Sequence, residues 1–161
     1  MSDRTESYNK ATEAVLANAR KIDLSVSAKF EYSLEQMVTV LRDLYKNKKF
    51  RNKFIDKDIF KDEYVYPSKG FCALSSVCIY ELYGGSGVWE LQAIKLGTWE
   101  HAPVVFLRDK LNWTAFDTTG DQFAPLIVPY QLGQPVNKKL NPTKKTEFIK
   151  LVKRELDSHA A

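Results

Sequence analysis

Val88-Trp89-Glu90-Leu91-Gln92-Ala93-Ile94-Lys95-Leu96 alternates between apolar and polar residues. Residues 101–107 are rich in β-formers, and Leu111-Asn112-Trp113-Thr114-Ala115-Phe116-Asp117 alternates again after the polar turn Arg108-Asp109-Lys110. These stretches read as three antiparallel strands joined by short turns. A fourth strand is expected over 126–130, where Pro125 and Pro129 place it at an edge.

On both sides of this meander the pattern is helical. Asp3 followed by Glu6 has the form of a capping box, and residues 5–21 carry Ala11, Ala14, Val15, Leu16, Ala17 and Ala19 with no Gly or Pro. Ser33-Leu34-Glu35-Gln36 repeats the capping-box logic ahead of Met37, Val38, Leu41, Leu44 and Tyr45 at helical spacing. Residues 46–61 interleave Phe50, Phe54, Ile55, Ile59 and Phe60 with lysines, and read as an amphipathic or broken helix with a solvated basic face. A turn marked by Pro67, Ser68 and Gly70 leads into a buried helix that Gly84-Gly85-Ser86-Gly87 ends. After a polar connector, Asn141 as cap and Pro142 at the first helical position open a last helix with Phe148, Leu151, Val152 and Leu156 inside.

The order predicts an α+β fold in one domain of 161 residues: a helical part over 1–62, a core over 63–130 in which a helix packs on about four antiparallel strands, and a closing helix over 143–158. A hydrophobic fraction of 44%, with 12% aromatics, is enough for a real core. Lys and Arg number 24 against 20 Asp and Glu. The resulting charge of +4 is too slight for a nucleic-acid signature, so nucleic acid is not the expected partner. The start is charged and no run of roughly 18 apolar residues occurs, so a cytoplasmic protein without a membrane partner is expected. Two Cys and two His supply no zinc-type spacing, and no metal or cofactor is expected.

Chemistry is expected at Cys72, in the first turn of the buried helix. There the unpaired amides and the helix dipole favour a thiolate, which is the nucleophilic form. Cys78 lies six residues on, about 240° around the helix, which disfavours a disulfide and makes it a small core residue. A thiolate needs a base, and an imidazole needs a group that fixes its tautomer. His101 and Asp117 lie eight residues to either side of a turn centred near Asp109, so an antiparallel pairing places them as neighbours on one face. Such a Cys–His pair would carry a depressed thiol pKa.

The sequence resembles the papain-like and transglutaminase-like cysteine enzymes, in particular small bacterial and phage proteins with a transglutaminase-like core. The pieces that carry the resemblance are Gly70-Phe71-Cys72 with Ser75-Ser76, His101-Ala102-Pro103-Val104-Val105, and Phe116-Asp117-Thr118-Thr119-Gly120-Asp121-Gln122-Phe123, within residues 66–130. It implies a nucleophile at Cys72, a general base at His101 and an orienting carboxylate at Asp117. Papain-type enzymes place an oxyanion-hole Gln six residues before the nucleophile, where this chain has Tyr66, whose hydroxyl can donate a similar hydrogen bond. Gln122 is either a second polar contact at the site or a cap for its loop. The expected function is a cysteine-dependent hydrolase or acyl transferase that acts on an amide, isopeptide or thioester bond of a peptide, protein or acyl-amine substrate. The alternative is a non-catalytic module that uses the same cleft to hold a peptide, nucleotide or partner protein. The oligomeric state is left open.

Overall fold

The computed structural model describes residues 2–24, 30–56, 66–95, 103–124, 126–137 and 139–160. The helices are α1 (Ser2–Arg20), α2 (Leu34–Tyr45), α3 (Lys48–Phe54), α4 (Cys72–Leu82) and α5 (Pro142–Ala160). The strands are β1 (Trp89–Ile94), β2 (Val104–Asp109), β3 (Ala115–Phe116) and β4 (Gln134–Pro135), in the sheet order β3-β2-β1-β4 with every pairing antiparallel. The architecture is α+β, as the residue pattern predicts.

Local chemistry accounts for most of the boundaries. The Ser33 hydroxyl accepts from the Gln36 N–H at 3.1 Å while the Gln36 side chain accepts from the Ser33 N–H at 2.7 Å, a complete capping box for α2. The Asn47 side chain accepts from the Phe50 N–H and starts α3, so the described part of the basic aromatic segment is a helix separate from α2, with Phe50 and Phe54 turned inward. Ile59 and Phe60 of that segment lie outside the described residues. Gly84 and Gly85 take φ of 108° and 57°, the left-handed backbone that stops α4. Asn141 accepts from the Lys144 N–H at 3.1 Å ahead of Pro142, and α5 buries Phe148, Val152 and Leu156.

Two cores result. The larger lies between the helices and one sheet face, where Phe71 stacks on Tyr45 and Phe50 and meets Phe148, with Trp89 and Leu107 contributed by the strands. The smaller lies on the other face, where Ile94, Val104 and Phe106 pack under Val128 with Phe123 and Tyr130. Strand β2 is therefore covered on both sides. Cys78 is fully buried in the larger core, as a small core residue should be.

Four sequence expectations are corrected. Helix α1 starts at Ser2, so Asp3 lies within it rather than ahead of it as a cap. Helix α5 starts at Pro142, the expected first helical position, and runs past 158 to Ala160. The edge strand is β4, not 126–130. Pro129 has no N–H to give a ladder, and the segment folds in turns, with Leu126 N–H on the Phe123 carbonyl at 2.9 Å and Val128 anchored inside. Pro135 at the outer edge of β4 needs no ladder partner on its open side.

The fourth correction concerns the hairpin. Leu107 pairs with Phe116 and Arg108 with Ala115, which centres it between Leu111 and Asn112 rather than on Asp109. The buried Asp109 carboxylate accepts from the N–H of Asn112 at 2.8 Å and of Thr114 at 2.7 Å, so Asp109 anchors a longer turn instead of forming its tip. Leu111 and Trp113 are exposed on that turn, and β3 shrinks to two residues. The register that sets Asp117 across from residue 101 is thus replaced: Asp117 follows the Phe116–Leu107 pair at the end of the ladder, next to Phe106.

The burial of Cys78 has a pH consequence. Its thiol is pushed up to about 12 by burial, from an ordinary 9.0. The folded state holds this proton to higher pH than the unfolded chain, so its contribution to stability is complete below pH 9 and is lost as pH rises toward 12. Tyr8, Tyr45 and Tyr83 are raised by burial in the same sense. The urea midpoint is expected to fall steadily above pH 9, and Cys78→Val is expected to flatten part of that fall. A midpoint independent of alkaline pH contradicts the burial.

Candidate functional site

Cys72 is the first residue of α4, and the chain is delivered to it by a tight turn. The Tyr66 carbonyl accepts from the Lys69 N–H at 3.0 Å and the Ser68 carbonyl from the Phe71 N–H at 3.3 Å. Gly70 has φ 89°, and a Cβ there would lie 3.1 Å from the Ile55 side chain. Both the backbone and the close approach call for glycine. The first bond of the helical ladder joins the Ser75 N–H to the Phe71 carbonyl at 3.0 Å. The amides of Cys72, Ala73 and Leu74 therefore lie ahead of the ladder, at the positive end of the helix.

Three N–H groups from three parts of the fold act as donors that lower the Cys72 thiol pKa: the backbone of Val105 in β2, the backbone of Ala73 in α4, and the side chain of Gln122. The Pro103 carbonyl lies 3.8 Å from Sγ as a weak acceptor. The brevity of β3 makes this possible. It ends at Phe116 opposite Leu107 and the chain turns over 118–124, so among the described residues Val105 has no β3 partner. Cys72 remains partly exposed.

The thiol itself differs from the sequence expectation. Burial pushes its pKa up and is the largest influence; the Val105 N–H opposes it, Asp117 adds to the rise, and Ala73 and Gln122 oppose it more weakly. Cys72 thus rests as a protonated thiol near neutral pH rather than as a thiolate. The activating effect of a helix start is outweighed by desolvation and by a carboxylate of like charge.

Asp117 is buried and within electrostatic reach of the thiol. Its Oδ1 accepts from the Thr119 N–H at 2.8 Å and the Thr119 hydroxyl at 2.7 Å, and Oδ2 accepts from the Tyr130 hydroxyl at 2.7 Å. Burial raises its pKa, and these bonds oppose the rise. Gln122 is buried, and its amide donates to the Thr119 hydroxyl oxygen at 3.1 Å. Its backbone N–H is on the Thr119 carbonyl at 2.9 Å, so both bonds lie within its loop, and its side chain also lowers the Cys72 pKa as a donor. Tyr66 is half-buried at the head of the turn. His101 lies outside the described residues; His159, on α5, contacts Glu155 at 3.2 Å.

A buried clamp fixes the loop that carries Asp117 and Gln122. The Arg42 guanidinium, 1% exposed, grips Asp121 through two bonds of 2.7 and 3.0 Å, donates to the Thr118 and Tyr8 carbonyls at 3.0 Å each and to the Thr12 hydroxyl at 2.8 Å, and stacks 3.8 Å from the Tyr8 ring centre. Ser68, in the turn before Cys72, donates to Asp121 at 2.7 Å. The Tyr45 hydroxyl bonds to Ser75 of α4 and, at 2.7 Å, to Thr118. Sequence reasoning missed Arg42, Tyr45, Asp121 and Tyr130. One signal was present: Arg42 stands four residues after Val38 and three before Tyr45, on the apolar stripe of α2.

Among the described residues no group of three or more His, Cys, Asp and Glu is placed to hold a metal ion, and no helix is long and apolar enough to cross a membrane. A separate groove of ≈ 780 Å³ between α4, β1 and α5, with the Glu81–Lys145 ion pair in its wall, includes none of the residues above. Comparison with protein-family models, with curated proteins and with solved structures gives no match to this chain.

Proposed function

We propose that this chain is a cysteine-dependent hydrolase or acyl transferase that acts on an amide, isopeptide or thioester bond, with Cys72 as nucleophile. One observation carries the reading: a partly exposed thiol stands at the start of α4, ahead of the helical ladder, where the N–H groups of Val105, Ala73 and Gln122 act to lower its pKa. Cys78, six residues away in the same helix, is fully buried in the larger hydrophobic core. A core cysteine needs no such donors. A thiol that must become a thiolate, and then hold a carbonyl oxygen as it gains negative charge, does need them.

In the proposed reaction His101 takes the Cys72 proton as the sulfur attacks the substrate carbonyl. The oxyanion is held by the helix-start amides with Gln122, which fills the donor role weighed for Tyr66 and Gln122. The imidazolium returns its proton to the departing amine or thiol, and water or an amine then releases the acyl group from sulfur. His101 is the one imidazole apart from His159, and the Pro103 carbonyl near Sγ is only two residues further along the chain. With the thiol protonated at rest, the base is essential rather than accessory.

The test is to incubate the folded chain with a panel of acyl thioesters, isopeptide-linked peptides and peptide amides and to map adducts by mass. Acyl transfer onto Cys72, released by hydroxylamine as a thioester would be, is the expected result. Binding of a panel member with no adduct on Cys72 would favour the module that holds its ligand without reacting.

A further inference from the structure

Asp117 is linked to Cys72 through a chain of hydrogen bonds whose donor directions are fixed by chemistry. The Thr119 hydroxyl donates its single proton to Asp117 Oδ1, 2.7 Å away. The Thr119 oxygen is then left as an acceptor, and it receives one N–H of the Gln122 amide at 3.1 Å. That contact sets which end of the amide is nitrogen. The second N–H of the same planar group is left free, and Gln122 lowers the Cys72 pKa as a donor. Thr119 is 0% exposed and Gln122 5%, so water does not compete for these positions. Tyr130 occupies the other carboxylate oxygen, and the Thr119 hydroxyl carries the chain of bonds from Oδ1 to Gln122.

We propose that Thr119 is a positioning residue that relays the Asp117 carboxylate to Gln122, so that Gln122 presents an N–H rather than its carbonyl to the Cys72 sulfur and to the oxyanion formed beside it. This rests on the reading of Cys72 as the nucleophile. It gives Asp117 a role through Gln122 that does not require contact with an imidazole. The charged and titratable groups around the relay are Tyr130 and Asp121 beside Asp117, Arg42 paired with Asp121, and Asp117 itself facing the thiol.

The experiment is the rate of Cys72 alkylation by iodoacetamide as a function of pH, read by peptide mapping with Cys78 as internal control, in the wild type and in Thr119→Val, Thr119→Ser and Gln122→Met. Loss of a hydrogen bond to a developing charge corresponds to about one pH unit. Thr119→Val is expected to raise the labelling midpoint by about that much, Thr119→Ser to restore it, and Gln122→Met to match Thr119→Val with no further rise in the double variant. A merely structural Thr119 would lower the melting temperature without moving the midpoint, and that result overturns the relay while leaving the nucleophile intact. Cys72 silent in the folded wild type overturns both. If Thr119→Val does not fold, an unmoved midpoint in Gln122→Met overturns the relay by itself.

Discussion

Arg42→Met is expected to unfold with about 3–5 kcal/mol less free energy than the wild type, which is the usual cost of removing one partner from a buried ion pair. The guanidinium is nearly inaccessible and its partner Asp121 is 7% exposed, so the abandoned carboxylate has no water to turn to. It stays close enough to Asp117 to raise that residue's pKa, so two buried like charges then share one loop. Hydrogen bonds to Thr118, Tyr8 and Thr12 are lost as well. Asp121→Asn alone is expected to be costly for the mirror-image reason. The double variant Arg42→Met/Asp121→Leu is expected to recover much of the loss, because a buried pair and an apolar pair of similar volume come out near parity. Urea unfolding of the four chains measures this; a single-variant loss below about 1 kcal/mol contradicts a clamp.

The second large effect is on chemistry. Cys72→Ala is expected to abolish acyl-enzyme formation outright, since no other thiol reaches the surface. His101→Ala is expected to slow acylation by about 10²–10⁴-fold near neutral pH, the usual contribution of a positioned base. The defect has a direction in pH. The Cys72 thiol is raised by burial, so below its folded pKa the base must remove the proton, whereas above it solvent does so. The ratio of wild-type to His101→Ala rates is therefore expected to shrink as pH rises. A ratio that stays constant across the thiol titration would remove His101 from the proton transfer.

Features written in local chemistry were legible before the fold was known. The Ser33–Gln36 box, Asn141 with Pro142, the Gly70 turn and the helix start at Cys72 each depend on residues within a few positions of one another. The hairpin was only half legible. Alternation over 111–117 suggested a strand, but Asp109 uses its carboxylate to hold two turn amides, and no periodicity reveals that. The short β3 that follows leaves Val105 of β2 without a β3 partner among the described residues.

The site divided in the same way. Gln122 acts on the Cys72 thiol as a donor and Asp117 as a like charge, but the Asp117 carboxylate is held by Thr119 and Tyr130. The thiol pKa was misjudged because burial depends on the whole fold, while the helix start that opposes it is local. Arg42 carried a hint in its position on the apolar stripe of α2. Its partner Asp121 lies 79 residues away, a pairing only the tertiary fold supplies.

The most direct measurement is the reaction of the folded protein with iodoacetamide at about pH 9, with each cysteine mapped separately. Cys72 should be labelled in the folded state, faster as pH rises through its raised pKa, while Cys78 stays silent until denaturant unfolds the chain. If Cys72 reacts only upon unfolding, in step with Cys78, it is a core residue and the proposed nucleophile does not exist.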